Sequence, residues 1–442
     1  TEVVGSLPSD VIRGWAAAEL TSQQGGALLG WLQSAESLDG SLDDVARLLQ
    51  AGVADRDHPF PVERLEQAKD LARKVAGVLD PARPARFGNG DGFRWPTIGL
   101  NDAQGVIVQF WFAVLELERG AERSGAASMP PEISDQLISL TTGKNQGALG
   151  AIAMVAGQLR FLHAYDEAWT ESNVFPMFDF ENPNRAQAAW QGFLVWGRFD
   201  DRLLTRGLLD MYQQAWRHLD QLGDADSGSQ ERSVEDARRR LVDHVADVAL
   251  YSGSEVRREW LNDFITAVDE PLRESFARRV GMSWRRALRD AATAGKTRPQ
   301  WDPWLMWART YWQARLNSDP VALSPGEVAA LNTWVLCTGD HFPEAVELSL
   351  RSAQMGALDD GLVQDLVRDL AKSDVVRAFP NEAARWLTHL LGRAARGEFY
   401  SCREAKSVFE AVRLTVAPEV ARELAGAALS AGCTDAREWT FS

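Results

Sequence analysis

A chain of 442 residues, 45% apolar and 25% charged, has the composition of a globular protein long enough for more than one core. Its formal net charge of −15 argues against broad binding to a phosphate backbone, which relies on Lys and Arg to neutralise phosphates. Three cysteines, Cys337, Cys402 and Cys433, form no CxxC pair, which argues against a disulfide framework or a cysteine zinc site and for a reducing compartment.

The chain opens on Thr1, which fits either removal of a methionine or a piece cut from a longer protein, and no charged, apolar, small-residue leader pattern follows. "DPARPARFGNGDGFRWP" (80 to 96) reads as a Pro/Gly-rich loop; its "FGNGDG" lacks the preceding strand that a dinucleotide-binding turn requires. Val106, Ile107, Phe110, Trp111, Val114 and Leu115 then fall on one face of a helix. The apolar run around them, "GVIVQFWFAVLEL" (105 to 117), is shorter than the roughly 18 to 20 residues of a membrane-spanning helix, so no membrane contact is expected. "SGAASMPPE" (124 to 132) separates this from the next helical face, Leu149, Ile152, Ala153, Ala156 and Leu159.

In "FLHAYDEAW", His163, Asp166 and Glu167 stand at i, i+3, i+4, a spacing that can set an imidazole and a carboxylate on one helix face as metal ligands. A capped, hydrogen-bonded helix end explains the same residues, and no metal ligand is assigned. "NPNRAQAAWQGFLVWGRF" (182 to 199) crowds Trp190, Phe193, Leu194 and Trp196 beside Gly192, Gly197 and Arg198. Trp190, Phe193, Leu194 and Gly197 share the i, i+3, i+4, i+7 stripe, which predicts inward packing rather than a ligand box, with Gly192 and Gly197 permitting close helix approach. Trp196 lies off the stripe, toward a neighbouring hairpin.

"GDADSGSQERS" (223 to 233) reads as a polar linker, and the basic runs "DARRRLVDH" (236 to 244) and "RRALRD" (285 to 290) as solvated helix faces. Leu241, Val242, Val245, Val248 and Ala249 form another apolar stripe. "GMSWR" (281 to 285) has Arg where a nucleophile elbow needs glycine, and "AGKT" (294 to 297) lacks the earlier glycine of a phosphate loop. No two of the six histidines pair as HxxxH or HExxH. In "WDPWLMWARTYW" (301 to 312), Trp304 and Trp307 share a face with Tyr311, Trp301 precedes the turn at Pro303, and Trp312 lies nearby; core packing is expected over an exposed binding ridge.

Toward the C-terminus the helix starts acquire a rhythm. "SPGE" (324 to 327) has capping-box spacing, and "FPE" (342 to 344), "FPNE" (379 to 382) and "APE" (417 to 419) repeat Pro and Glu in a first turn, with Asp359 and "SCRE" (401 to 404) supplying caps between them. Starts near 325, 343, 360, 380, 401 and 418 predict three stacked hairpins of about 37 residues each, and Leu362, Val363, Leu366, Val367 and Leu370 give one of the buried faces. The fold is predicted to be all-α: stacked helical hairpins in an α-solenoid like those of HEAT or TPR repeats. The chain divides into an N-terminal helical region (1–90), a helical core (91–228), a middle segment (229–319) and C-terminal hairpins (320–442).

Three pieces in order, "IGLNDAQGVIVQFWFAVLELE" (98 to 118), "GALGAIAMVAGQLRFLHAYDEAWTESNVFPMFDF" (147 to 180) and "AQAAWQGFLVWGRFDDRLL" (186 to 204), resemble the large helical domain that follows sirtuin-like domains in bacterial anti-phage proteins. The first piece departs from that family's pattern at Asn101, Asp102, Ala103, Gln104 and Gly105, where the usual proline is absent and one residue intervenes. The resemblance implies a non-catalytic scaffold or sensor that regulates an NAD-hydrolysing sirtuin-like effector in the cytoplasm; the sirtuin glycine turn itself is not found in this sequence. No catalytic, cofactor-binding or metal-ligating residue is assigned and no cofactor is expected. The expected partner is a protein, the sirtuin-like effector domain or a phage protein or both, and a homo-oligomer is compatible with the reading. An all-α enzyme with a site assembled from distant residues, and an adaptor unrelated to immunity, stay open as alternatives.

Overall fold

The helical periodicities of the sequence are realised throughout. A computed structural model describes residues 21–35, 41–54, 62–79, 93–121, 128–223, 230–252, 258–293, 302–352, 360–393 and 399–439, with positions 12, 14 and 38. Among the described residues 83% are helical and none lies in a strand, so the fold is all-α, helices packed on helices as in helical-repeat proteins. The chain forms two compact units, Thr1–Arg240 and Leu241–Ser442.

The first unit is built around helix Gln146–Gly157, buried at every position from Gly147 to Gly157. Pro183–Trp196, Arg94–Asn101 and Ala103–Ala121 pack against it, and Leu42–Ala54 packs on the last of these. Small residues permit this density: a Cβ on Gly192 would overlap the Ala153 carbonyl, so the two backbones touch where a side chain would hold them apart. The three segments that resemble the sirtuin-associated domain supply most of the central helix and of the three that pack against it, but not Leu42–Ala54.

Helices Arg94–Asn101 and Ala103–Ala121 meet at 72° about Asp102. The bend is held because freed backbone N–H groups find acceptors: Gln104 N donates to Asp102 Oδ1 at 3.0 Å, and Ala103 N to Asp43 Oδ1 at 3.0 Å. Val106, Ile107, Phe110, Trp111, Val114 and Leu115 are buried as their spacing predicts. Among the described residues no single helix is long and apolar enough to cross a membrane.

In the second unit, helices begin at Pro325, Phe342, Asp360, Pro380, Cys402 and Pro418, within one residue of the predicted starts. The short helix Val375–Ala378 was not expected. Ser324 and Glu327 form the capping box that "SPGE" predicts. Ser401 does not cap, because its hydroxyl donates to the Gln364 carbonyl instead, and Asp359 lies outside the described residues. Three of these helices, starting at Pro325, Phe342 and Pro380, are joined by a buried polar chain: Ser349 Oγ donates to Asn332 Oδ1 and accepts from Trp386 Nε1 at 3.0 Å.

The cysteine spacing misled. Cys402 and Cys433, 31 residues apart, form a disulfide with Cα atoms 5.4 Å apart, and the buried Cys337 takes no part in it. Cys402 starts helix Cys402–Val412 and Cys433 follows helix Pro418–Ala431, so folding back of the chain brings together two residues that no local motif links.

His389 sits in the last turn of helix Pro380–Leu391, where the helix dipole would favour a charged ring. Burial wins, and with the Arg393 guanidinium adding to it pushes the imidazole down to about 4. Between pH 4 and the ordinary 6.5 the unfolded chain therefore binds more protons here than the folded chain. The stabilising contribution is fully present above about pH 6.5 and is lost as pH falls through that window. Halved for partial exposure, it is on the order of 1 to 2 kcal/mol. Thermal unfolding at pH 4.5 and 7.5 should show a smaller acid-induced loss in His389→Gln than in the parent, and equal losses would remove His389 as a contributor.

Candidate functional site

The aromatic crowd at 190 to 196 is core. Pro183 opens helix Pro183–Trp196 at a position where its missing N–H has no partner to lose, and Trp190, Phe193 and Leu194 are all buried. The Trp190 ring meets Phe178 edge-on at 5.2 Å, Phe193 at 5.8 Å and Tyr212 at 5.6 Å. Trp196 lies against Gly157 of the central helix, Gly197 closes on the Phe193 ring, and Arg198 is exposed. The same helix carries a polar pair the aromatic pattern hid. Gln191, fully buried, accepts from Trp95 N and donates to the Leu222 carbonyl, while Gln187 accepts from Trp95 Nε1 at 2.9 Å. Their i, i+4 spacing on a buried face was the available signal.

The metal-spaced trio of the sequence is rearranged. Asp166 breaks the helical run: its backbone is extended, with φ −144°, and its carboxylate accepts from Trp169 N at 2.9 Å and Met129 N at 2.8 Å. It is thus the cap of helix Glu167–Asn173 and faces away from ligand duty, as the capped-end reading had it. Glu171 takes its place. One ligand atom each from His163, Glu167 and Glu171 lie within 4.8 Å of one another, a grouping that i, i+3, i+4 spacing on one continuous helix would not give.

His163 is 2% exposed, and its Nε2 has no hydrogen-bond partner; Glu171 Oε1, also buried and without a hydrogen bond, stands 3.9 Å away. The imidazole stacks on Phe175 at 6.2 Å. Burial lowers its pKa from the ordinary value, against the opposing pull of Glu167 and Asp200, so the ring is neutral with a lone pair available at neutral pH. Glu167 pairs with Arg202 and with Arg206 Nε at 2.6 Å. Both arginines come from a stretch that Asp200 caps and that widens into a π-turn at Leu204–Leu208. Gly207 in that turn has φ +136°, open to glycine and strained for other residues.

In the second unit a similar wide turn, Trp304–Ala308, follows Asp302, whose carboxylate accepts from Trp304 N at 2.9 Å. It buries Trp304 and Trp307 and leaves Leu305 and Met306 55% and 49% exposed between them. Trp304 Nε1 donates to Glu344 at 3.1 Å, and Trp312 is fully buried, so the predicted core role holds for the tryptophans. Met306, Trp307, Thr310, Tyr311 and Ala314 line a cleft of about 110 Å³ with Leu261 and Asn262. That volume admits a side chain rather than a cofactor.

"GMSWR" lies inside the continuous helix Glu270–Thr293, which has no elbow. "FGNGDG", "AGKT" and Trp301 lie outside the described residues. Fold and sites together define an all-α protein with a small surface cleft in one unit and an imidazole and carboxylate cluster in the other. No protein family, curated protein or solved structure matches this chain.

Proposed function

We propose that this chain is a non-catalytic helical scaffold or sensor of a bacterial anti-phage defence protein that works by protein contact and regulates a sirtuin-like NAD-hydrolysing effector. The observation that carries the contact reading is the wide turn Trp304–Ala308. Leu305 and Met306 face solvent there while their neighbours are core, and the adjoining cleft is lined by Trp307 and Tyr311. Exposed large apolar side chains beside a cleft lined by Trp and Tyr, residue types enriched among interface hot spots, suit a protein partner. The link to the effector rests on the resemblance of the segments between 98 and 204.

The reading is tested by adding the purified chain to a sirtuin-like NAD-hydrolysing domain and following nicotinamide release. The chain alone should release none, and its addition should change the rate of the effector. A Leu305→Asp, Met306→Asp double variant should keep its unfolding midpoint, because surface changes usually stay within about 0.5 kcal/mol, and should lose the effect. An effect unchanged in that variant would remove the wide turn from the interface. NAD turnover by the chain alone, abolished by one substitution, would replace the scaffold with an enzyme.

A further inference from the structure

We infer that His163, Glu167 and Glu171 form a binding site for a transition-metal dication of the zinc type, a site separate from the contact function proposed above. The buried His163 Nε2 is the decisive atom. A ring nitrogen without a hydrogen bond, in a side chain 99% shielded from water, carries a desolvation cost that a metal ion would relieve. It points into the space that Glu171 Oε1, equally unsatisfied, shares at 3.9 Å. Glu167 completes the group, with all three ligand atoms within 4.8 Å of one another. Zinc holds nitrogen and oxygen ligands at about 2.0 to 2.2 Å, which sets them roughly 3.3 Å apart in a tetrahedral site. Rotation of the two partly exposed glutamate side chains closes that gap, with Glu167 released from its arginines.

The donor set selects the ion. An imidazole beside two carboxylates suits zinc, manganese or cobalt, whereas magnesium and calcium take oxygen ligands in larger number. Arg202 and Arg206 supply the counter-charge to Glu167 in the metal-free chain, and both side chains are more than half exposed. They can swing into solvent when a dication arrives, so the arginines and the metal compete for one carboxylate. The ligands sit on both sides of Asp166, so a bound ion ties helix Leu159–Tyr165 to helix Glu167–Asn173 across the break.

Thermal unfolding of the chelator-treated full-length chain with added zinc, magnesium or calcium provides the test, with binding measured by calorimetry. Zinc should raise the midpoint at one equivalent per chain, and magnesium and calcium should not. Glu171→Gln keeps the size of a partly exposed side chain and should bind zinc at least tenfold more weakly. Arg202→Gln with Arg206→Gln removes two competing charges and should bind about tenfold more tightly. Cobalt should give a visible spectrum without a thiolate band, which separates this site from one at Cys337. No zinc-dependent shift, zinc affinity unaffected by Glu171→Gln, or weaker binding in the arginine double variant would each overturn the inference, leaving His163 as a core histidine.

Discussion

Trp190→Ala is expected to lower stability by about 3 to 5 kcal/mol, much of a typical domain's margin. The side chain is fully buried, and its ring contacts come from three directions: Phe178 before the helix, Phe193 one turn along it and Tyr212 beyond it. Collapse into the vacated space is resisted because the backbone at Gly192 already touches Ala153. Trp190→Phe should cost less, since it keeps an aromatic ring in place and removes an indole N–H that has no hydrogen-bond partner. Urea unfolding of the three proteins followed by fluorescence gives the comparison. An unchanged midpoint in Trp190→Ala would mean that the stripe is not core and that a binding role for it must be reopened.

Glu327→Ala should be equally damaging, by about 3 to 5 kcal/mol, for an electrostatic reason. Glu327 is fully buried and serves two structures at once. One carboxylate oxygen accepts from Ser324 N at 3.1 Å in the capping box, and the carboxylate also holds Arg315, 1% exposed, and Arg273 Nε at 3.3 Å. Removing it leaves the Arg315 guanidinium buried without a carboxylate, held by the Val321 and Ala322 carbonyls. Ser324→Ala, which touches the cap alone, should cost only about 1 kcal/mol. Equal losses from the two variants would show that the ion pair contributes nothing beyond the cap. The contrast is best measured by chemical unfolding at neutral pH.

What the sequence by itself determined is whatever repeats locally. The stripe Val106 to Leu115, the inward row Trp190, Phe193, Leu194 and the six helix starts from Pro325 to Pro418 follow from a period of 3.6 residues and from the chemistry of a first turn, both readable within a dozen positions. The cap at Ser324 and Glu327 was legible for the same reason, but the second use of Glu327 was not, because Arg315 and Arg273 reach it from other helices. Tertiary structure alone decided the Cys402 and Cys433 bond, since 31 residues and a reversal of the chain separate the two sulfurs. It likewise decided that Asp166 caps a helix while Glu171 turns toward His163. A break in a helix rotates everything after it, so a ligand pattern drawn for one continuous helix selects the wrong carboxylate once the chain bends at the residue that was to supply it.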